Sequence, residues 1–145
     1  MSEDIKDKVA DNFITLVPLF HKQVFRVSQN IGGIKSAQYR VLGILMKEGP
    51  LSMSEIGRRL YISKPYMTAL VDTLIKNHWV ERKQDTEDRR VIRITITPSG
   101  KKHLRESLEL YKNDLKILLL DLKQEELEQL ALSLEHLQAI LVKIG

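Results

Sequence analysis

The segment LSMSEIGRRLYISKPYMTALVDTLIKNHW, residues 51–79, contains two helix signals separated by a short break. Ser52 and Glu55 have the spacing of a capping box, so a short helix is predicted to begin directly after Ser52. After the break, Ser63 is a candidate N-cap, and Pro65 lies in the first turn, where its missing N–H is harmless. A short helix, a tight turn and a second helix fit the helix-turn-helix plan. The apolar stripe of the second helix consists of Met67, Leu70, Val71 and Leu74.

A β-hairpin is predicted immediately after this segment. Residues 79–84 and 91–97 have the composition of two strands, and the charged turn DTEDRR at 85–90 joins them. The second strand alternates strictly between Ile92, Ile94 and Ile96 on one face and Arg93, Thr95 and Thr97 on the other. Because a two-stranded hairpin is marginally stable alone, we expect it to pack on the helices through Trp79 and the isoleucines.

Amphipathic helices are predicted before this central region. Residues 4–31 carry apolar side chains at the helical period, with Pro18 expected to kink or split the helix and a Gly-Gly pair at 32–33 expected to end it. A second helix is predicted over residues 36–47, ahead of Gly49 and Pro50.

Two further helices are predicted after the hairpin. The first opens at Thr97 or Ser99, and the last begins near Asp121, whose spacing to Gln124 suits a capping box. The apolar residues of the last helix follow steps of 3, 4, 3, 4 and 3, a seam that one helix presents to another. The seam could close within one chain. The equally apolar helix at the other chain end favours pairing across a homodimer. The seam residues are Leu127, Leu130, Leu134, Leu137, Leu141 and Ile144.

The composition is that of a water-soluble globular protein. Of the 145 residues, 43% are hydrophobic and 29% are charged, and none is cysteine, which excludes disulfides, thiolate metal sites and thiol-based sensing. No apolar run approaches the ~18 residues of a membrane span, and the N-terminus lacks the features of a secretion signal. We expect a cytoplasmic protein of one compact unit that makes no membrane contact.

Positive charge is concentrated in the centre of the chain. Residues 51–103 carry 11 basic and 6 acidic side chains, whereas residues 104–145 carry 5 basic and 8 acidic ones. Such asymmetry indicates that the middle of the chain meets a polyanion, although a solvated surface with a random bias would give the same sign.

Nothing in the sequence supports catalysis. The four histidines lack the spacing of metal ligands, and no nucleophile elbow or phosphate-binding glycine loop occurs. We therefore expect no enzyme activity, no cofactor and no metal. The histidines, interpreted as surface or capping residues, are His21, His78, His103 and His136.

The second helix of the helix-turn-helix is the candidate reader of DNA bases. In this motif the N-terminal half of that helix enters the major groove. The polar face of residues 63–77 is equally typical of an ordinary amphipathic helix, and the helix alone does not separate the two interpretations. The candidate contacts are Ser63, Lys64, Pro65, Tyr66, Thr68 and Thr73.

The hairpin turn favours the DNA-binding interpretation over an ordinary amphipathic helix. A narrow minor groove attracts arginine because its negative potential is focused there. We expect Asp88 to orient Arg90 for that groove, through a bidentate pair in the best case, and Arg89 to meet phosphate. The alternative is a solvated, salt-bridged turn, which is worth under ~1 kcal/mol.

Residues 34–103 resemble the MarR family of winged helix-turn-helix regulators. AQYRVLGIL, at 37–45, is similar to the second helix of that family, and residues 51–100 match its core from end to end. The family's wing signature reads here as Asp88, Arg89 and Arg90, followed by Ile96-Thr97 and Gly100.

The resemblance implies a mainly α fold with a small β-hairpin wing. It divides the chain into an N-terminal dimerisation helix at 1–33, a winged helix-turn-helix DNA-binding lobe at 34–100 and C-terminal dimerisation helices at 101–145. It further implies a homodimer on a palindromic, double-stranded DNA operator, acting as a repressor that a small aromatic or phenolic acid releases.

The chain departs from the family pattern at a few positions. Ala69 and Thr73 stand where relatives often carry arginine, so base readout is expected to be thinner. His78 replaces the usual glycine after the recognition helix and must accept or avoid a left-handed conformation.

The effector site is the least defined part of the sequence. A phenolic carboxylate needs a cation and an apolar wall where the dimer helices meet the DNA-binding lobe. The candidates are His21, Arg26, Tyr39 and Arg40, although surface, packing or salt-bridge roles are the favoured interpretation of all four. The competing hypothesis for the whole chain is a winged-helix protein–protein module with weak, non-specific DNA binding.

Overall fold

The computed structural model describes residues 4–144. It opens with α1 (Ile5–Phe20), which passes without a break into a π-helical segment (His21–Phe25) and then α2 (Arg26–Ser28). Pro18 lies inside α1 but does not split it. Proline has no N–H to bond the preceding turn, and the helix widens to π geometry three residues later.

A short hairpin of β1 (Asn30–Ile31) and β2 (Ile34–Lys35) follows, where the sequence predicted only a helix end. Gly32 turns the chain with φ +55°, and a Cβ added there would lie 2.1 Å from the carbonyl oxygen of Ser107. Only glycine therefore fits this turn, which packs against a later helix.

The predicted helix-turn-helix is confirmed. The Oγ atom of Ser52 accepts from the backbone N–H of Glu55 at 3.2 Å, which starts the first helix of the motif as the capping pattern predicted. The elements of this part are α3 (Ser36–Glu48), β3 (Leu51–Ser52), α4 (Met53–Leu60) and α5 (Lys64–Lys76).

The wing is a three-stranded antiparallel sheet in the order β3-β5-β4, with β4 (Val80–Gln84) and β5 (Ile92–Ile96) forming the predicted hairpin. Val80 pairs with Ile96, so β4 starts one residue later than the sequence predicted. The two-residue strand β3 pairs with the middle of β5 and attaches the hairpin directly to the start of α4.

Two helices complete the chain: α6 (Pro98–Leu118) and α7 (Gln124–Leu141). Thr97 caps α6, because its Oγ accepts from the N–H of Gly100 at 2.9 Å. The predicted start of the last helix at Asp121 is wrong. The N-cap of α7 is Lys123, whose backbone N–H donates to the Glu126 carboxylate at 3.0 Å.

One apolar core joins α3, α4, α5, the wing sheet and the start of α6. Its fully buried members include Ile34, Val41, Leu42, Leu45, Ile56, Met67, Val71, Leu74, Val80 and Ile94. Among the described residues, α1 and α7 contribute no buried side chain. In the stretch from residue 4 to residue 144, no helix is long and apolar enough to cross a membrane.

Candidate DNA-binding site

A tight turn sets the angle between α4 and α5. Tyr61 ends α4 in the left-handed conformation, with φ 55° and ψ 45°, and the N–H of Ile62 donates to the carbonyl of Gly57 at 2.9 Å. From α3, the guanidinium of Arg40 donates to the carbonyl of Leu60 at 2.6 Å. The last carbonyls of α4 are thus bonded, and the chain reverses directly into α5.

Helix α5 buries one face and exposes the other. Ser63 adopts the predicted N-cap backbone conformation, although its side chain makes no capping hydrogen bond to α5. The hydroxyls of Thr68 and Thr73 each donate to the carbonyl one turn earlier, at 3.1 Å. The exposed residues of this helix and its cap include every predicted contact, namely Ser63, Lys64, Pro65, Tyr66, Thr68 and Thr73.

A cleft lies between α4 and α5, where two cations and two hydroxyls accompany apolar side chains such as Met53, Ile62 and Met67. Ser54 and Arg58 from α4 face Lys64 and Thr68 from α5 across a cleft of about 290 Å³. Both walls therefore offer one cation and one hydroxyl, the groups that contact phosphate in protein–DNA complexes. Arg58 is not among the contacts predicted from the sequence, because the amphipathic pattern of α4 is the only signal that points to it.

The wing tip holds Arg90 in a defined direction. The Oδ1 atom of Asp88 accepts from the backbone N–H of Arg90 at 3.0 Å and from its Nε at 3.2 Å. The expected bidentate pair is thus replaced by one oxygen that accepts twice. The Arg90 side chain remains 91% exposed, and Arg89 beside it is also exposed. The outer part of the guanidinium is free to meet another anion.

Two ion-pair clusters that the sequence did not reveal tie the wing to the helix-turn-helix. Arg82 of β4 pairs with Asp72 of α5, with Nη2 and Oδ1 2.7 Å apart. Arg93 of β5 lies between Glu55 of α4 and Asp85 at the base of the wing loop. Arg82 and Asp72 belong to different elements, and Glu55 is distant in sequence from Arg93, so no local pattern could have paired them.

The four effector candidates do not share one environment. His21 stacks on Phe25 with ring centroids 4.5 Å apart, beside the apolar groove between α1 and α7. Tyr39 packs, partly buried, against the lobe core. Arg40 bonds the end of α4 as described above. Arg26 stays exposed on α2.

His78 adopts the left-handed conformation, with φ 62°, at the position where the family resemblance implies glycine. Its carbonyl accepts from the hydroxyl of Thr97 at 2.6 Å, and its side chain is exposed. The residue therefore closes the α5–β4 turn at the cost of a strained backbone.

An exposed polar helix beside a hairpin tipped by a tethered arginine defines a winged helix-turn-helix DNA-binding protein. The MarR family model matches residues 34–92. The HTH-type transcriptional regulator YsmB of Bacillus subtilis is 31% identical over 117 residues, which cover 81% of this chain and 80% of that relative. The chain belongs to the MarR family, whose members are transcriptional regulators and not enzymes.

Two further comparisons agree. The HTH-type transcriptional regulator YpoP of B. subtilis is 38% identical over 68 residues, so the match spans about half of that relative, 48%, and 47% of this chain. The crystal structure of the YusO protein of B. subtilis superimposes with a TM-score of 0.68 and 29% identity, covering 99% of this chain and all of that one. The structural similarity therefore extends to the helices outside the winged lobe.

Proposed function

We propose that this chain is a homodimeric repressor that binds a palindromic operator. The observation that carries the proposal is the combination of an exposed polar face on α5 with the wing arginine that Asp88 orients. In this arrangement α5 enters the major groove, and Arg90 enters the adjacent minor groove. Arg89, Arg58 and Lys64 meet phosphates on either side.

The dimer is supported by the unburied apolar faces at both chain ends. Phe13 and Leu16 of α1 share a groove with Leu137 and Leu141 of α7, yet no residue of either helix is buried within one chain. Adjacent exposed apolar side chains on two helices are typical of an interaction surface. A twofold dimer presents its two α5 helices to two half-sites related by the same symmetry, which makes the operator a palindrome. A dimer seated on such a site in a promoter excludes the polymerase.

Release by a small aromatic acid completes the proposal, and it rests mainly on the family. Arg26 supports it, since this cation on α2 is exposed and makes no ion pair among the described residues. Titration of the protein–operator complex with salicylate tests this part. Arg26→Gln should abolish release, and Lys22→Gln, an exposed cation one turn earlier, should leave it intact.

The DNA-binding part is tested by competition. A duplex obtained by selection from a random pool is labelled, bound and challenged with unlabelled random duplexes. A regulator prefers the selected duplex by ~10³-fold or more. Equal competition by random DNA would contradict the proposal and indicate a winged-helix module whose partner is a protein.

A further inference from the structure

We propose that Arg93 is a positioning residue that fixes the wing against the helix-turn-helix and so determines where Arg90 meets the DNA. The inference rests on the proposed function, because it concerns how the two DNA-contacting parts are held in register. The sequence places Arg93 on the outward face of the alternating strand, where a second phosphate contact would be the simplest expectation.

The backbone of Arg93 already lies at the joint between the two parts. It pairs across the sheet with Ser52, and Ser52 caps the first turn of α4. Any shift of β5 along β3 therefore moves the wing relative to the start of the helix-turn-helix.

The side chain of Arg93 spans the same joint. Its Nη1 lies 3.9 Å from Oε1 of Glu55, and its Nε lies 3.5 Å from Oδ1 of Asp85. The Asp85 side chain is only 20% exposed and Arg93 only 35%, against 91% for Arg90. With a carboxylate on each side, the Arg93 charge is neutralised within the protein and is a poor phosphate ligand.

Hydrogen bonds connect Asp85, which pairs with Arg93, to the residues of the wing tip. Its N–H donates to the carbonyl of Val91 at 2.9 Å, and the N–H of Val91 donates to the carbonyl of Asp88 at 3.0 Å. Asp88 in turn holds Arg90. A continuous set of contacts therefore leads from Glu55 on α4 through Arg93 to the arginine at the tip.

Substitutions that remove carboxylates distinguish a positioning role of these residues from a purely electrostatic effect on DNA binding. Removing a carboxylate close to DNA should strengthen binding if only charge matters. Asp85→Ala and Glu55→Gln instead should weaken operator binding about threefold to tenfold, because they remove an ion-pair contact that fixes the wing against α4. Glu81→Ala is the matched control. This variant also removes a carboxylate from the hairpin, but Glu81 pairs with Lys83 of the same strand, at 3.2 Å, and not with the helix-turn-helix. The variant should therefore change operator affinity by about twofold or less.

Fluorescence anisotropy with a selected operator measures all three variants, alone and combined with Arg90→Ala. The expected result is non-additivity: Arg90→Ala costs less in the Asp85→Ala background than in the wild type. Glu55→Gln keeps the test valid if Asp85→Ala does not fold. The inference is overturned if Asp85 and Glu55 variants bind as tightly as Glu81→Ala, while the wild type still prefers its operator. Loss of that preference in the wild type would overturn the proposed function instead.

Discussion

A single carboxylate oxygen, Oδ1 of Asp88, holds both the backbone N–H and the Nε of Arg90, at 3.0 and 3.2 Å. The arginine is thus directed before DNA arrives, and less side-chain freedom is lost on binding. Asp88→Ala should weaken operator binding by about 0.5–1.5 kcal/mol, the usual cost of ordering a long side chain, although it removes a negative charge near DNA. Equilibrium titration checks this, and tighter binding by the variant would refute the tether.

Substitution of Arg90 should reduce the specificity of DNA binding, whereas substitution of Arg89 should reduce affinity for every duplex. Arg90→Ala should cost about 1–3 kcal/mol at the operator and relax preference at the base pairs beneath the wing, with the fold intact by circular dichroism. Arg89→Ala should weaken binding to all duplexes alike, and the slope of log K against log [salt] should become less steep by about 1. Titration of both variants against operator and random DNA measures the contrast, and identical profiles would count against the assignment.

Binding should depend steeply on salt. Each phosphate that is neutralised contributes about −0.9 to the slope of log K against log [salt], so a dimer that contacts six to ten phosphates should show roughly −5 to −9. Titrations between 50 and 200 mM salt give this slope. A value near zero would mean that the basic surface of α4, α5 and the wing does not meet the DNA backbone.

His78→Gly should raise stability without changing DNA binding. A left-handed backbone destabilises an ordinary residue by about 1–2 kcal/mol, and glycine removes that strain. Glycine also loses about 0.5–1 kcal/mol because its unfolded chain has more conformational freedom, so the net gain in stability is about 0.5–1 kcal/mol. Urea unfolding at fixed protein concentration measures it. His78→Ala is the control and should bring no gain, because alanine retains the Cβ atom. Equal stability of the two variants would contradict the role of backbone strain at φ 62°.

The helix-turn-helix and the wing hairpin could be predicted because their signals are local. A capping side chain at Ser52, the helical period of α5 and the strict alternation of β5 each lie within one element. The outward residues of α5 followed directly from that period. The direction of Arg90 followed from its spacing to Asp88.

Features formed between distant segments could not be predicted. The strand β3 has two residues and exists only because β5 lies beside it. The Arg82–Asp72 pair joins a strand to a helix, and the contacts of Arg93 join three segments. At the start of α7, the sequence pattern favours Asp121 as the cap, but the chain continues in turns through Leu122 and the helix begins only after Lys123.

Dimer formation should depend on the apolar face of α7. Leu134 is 42% exposed in one chain, and a charge placed there would be buried in the interface. Leu134→Glu should shift the protein to monomer at micromolar concentration and weaken operator binding, because two half-sites are no longer held by one particle. Sedimentation velocity provides the measurement, with Glu128→Gln on the same helix as control. A Leu134→Glu protein that remains dimeric would place the interface elsewhere.

The most direct test is the sequence of DNA that the wild-type protein recovers from a random duplex pool. Two α5 helices related by a twofold axis should select an inverted repeat whose half-sites are centred ~10 bp apart, one turn of the duplex. Recovery of such a repeat, bound by two chains per duplex, is the expected result. A pool without enrichment, or a single asymmetric site bound by one chain, would contradict the dimeric repressor.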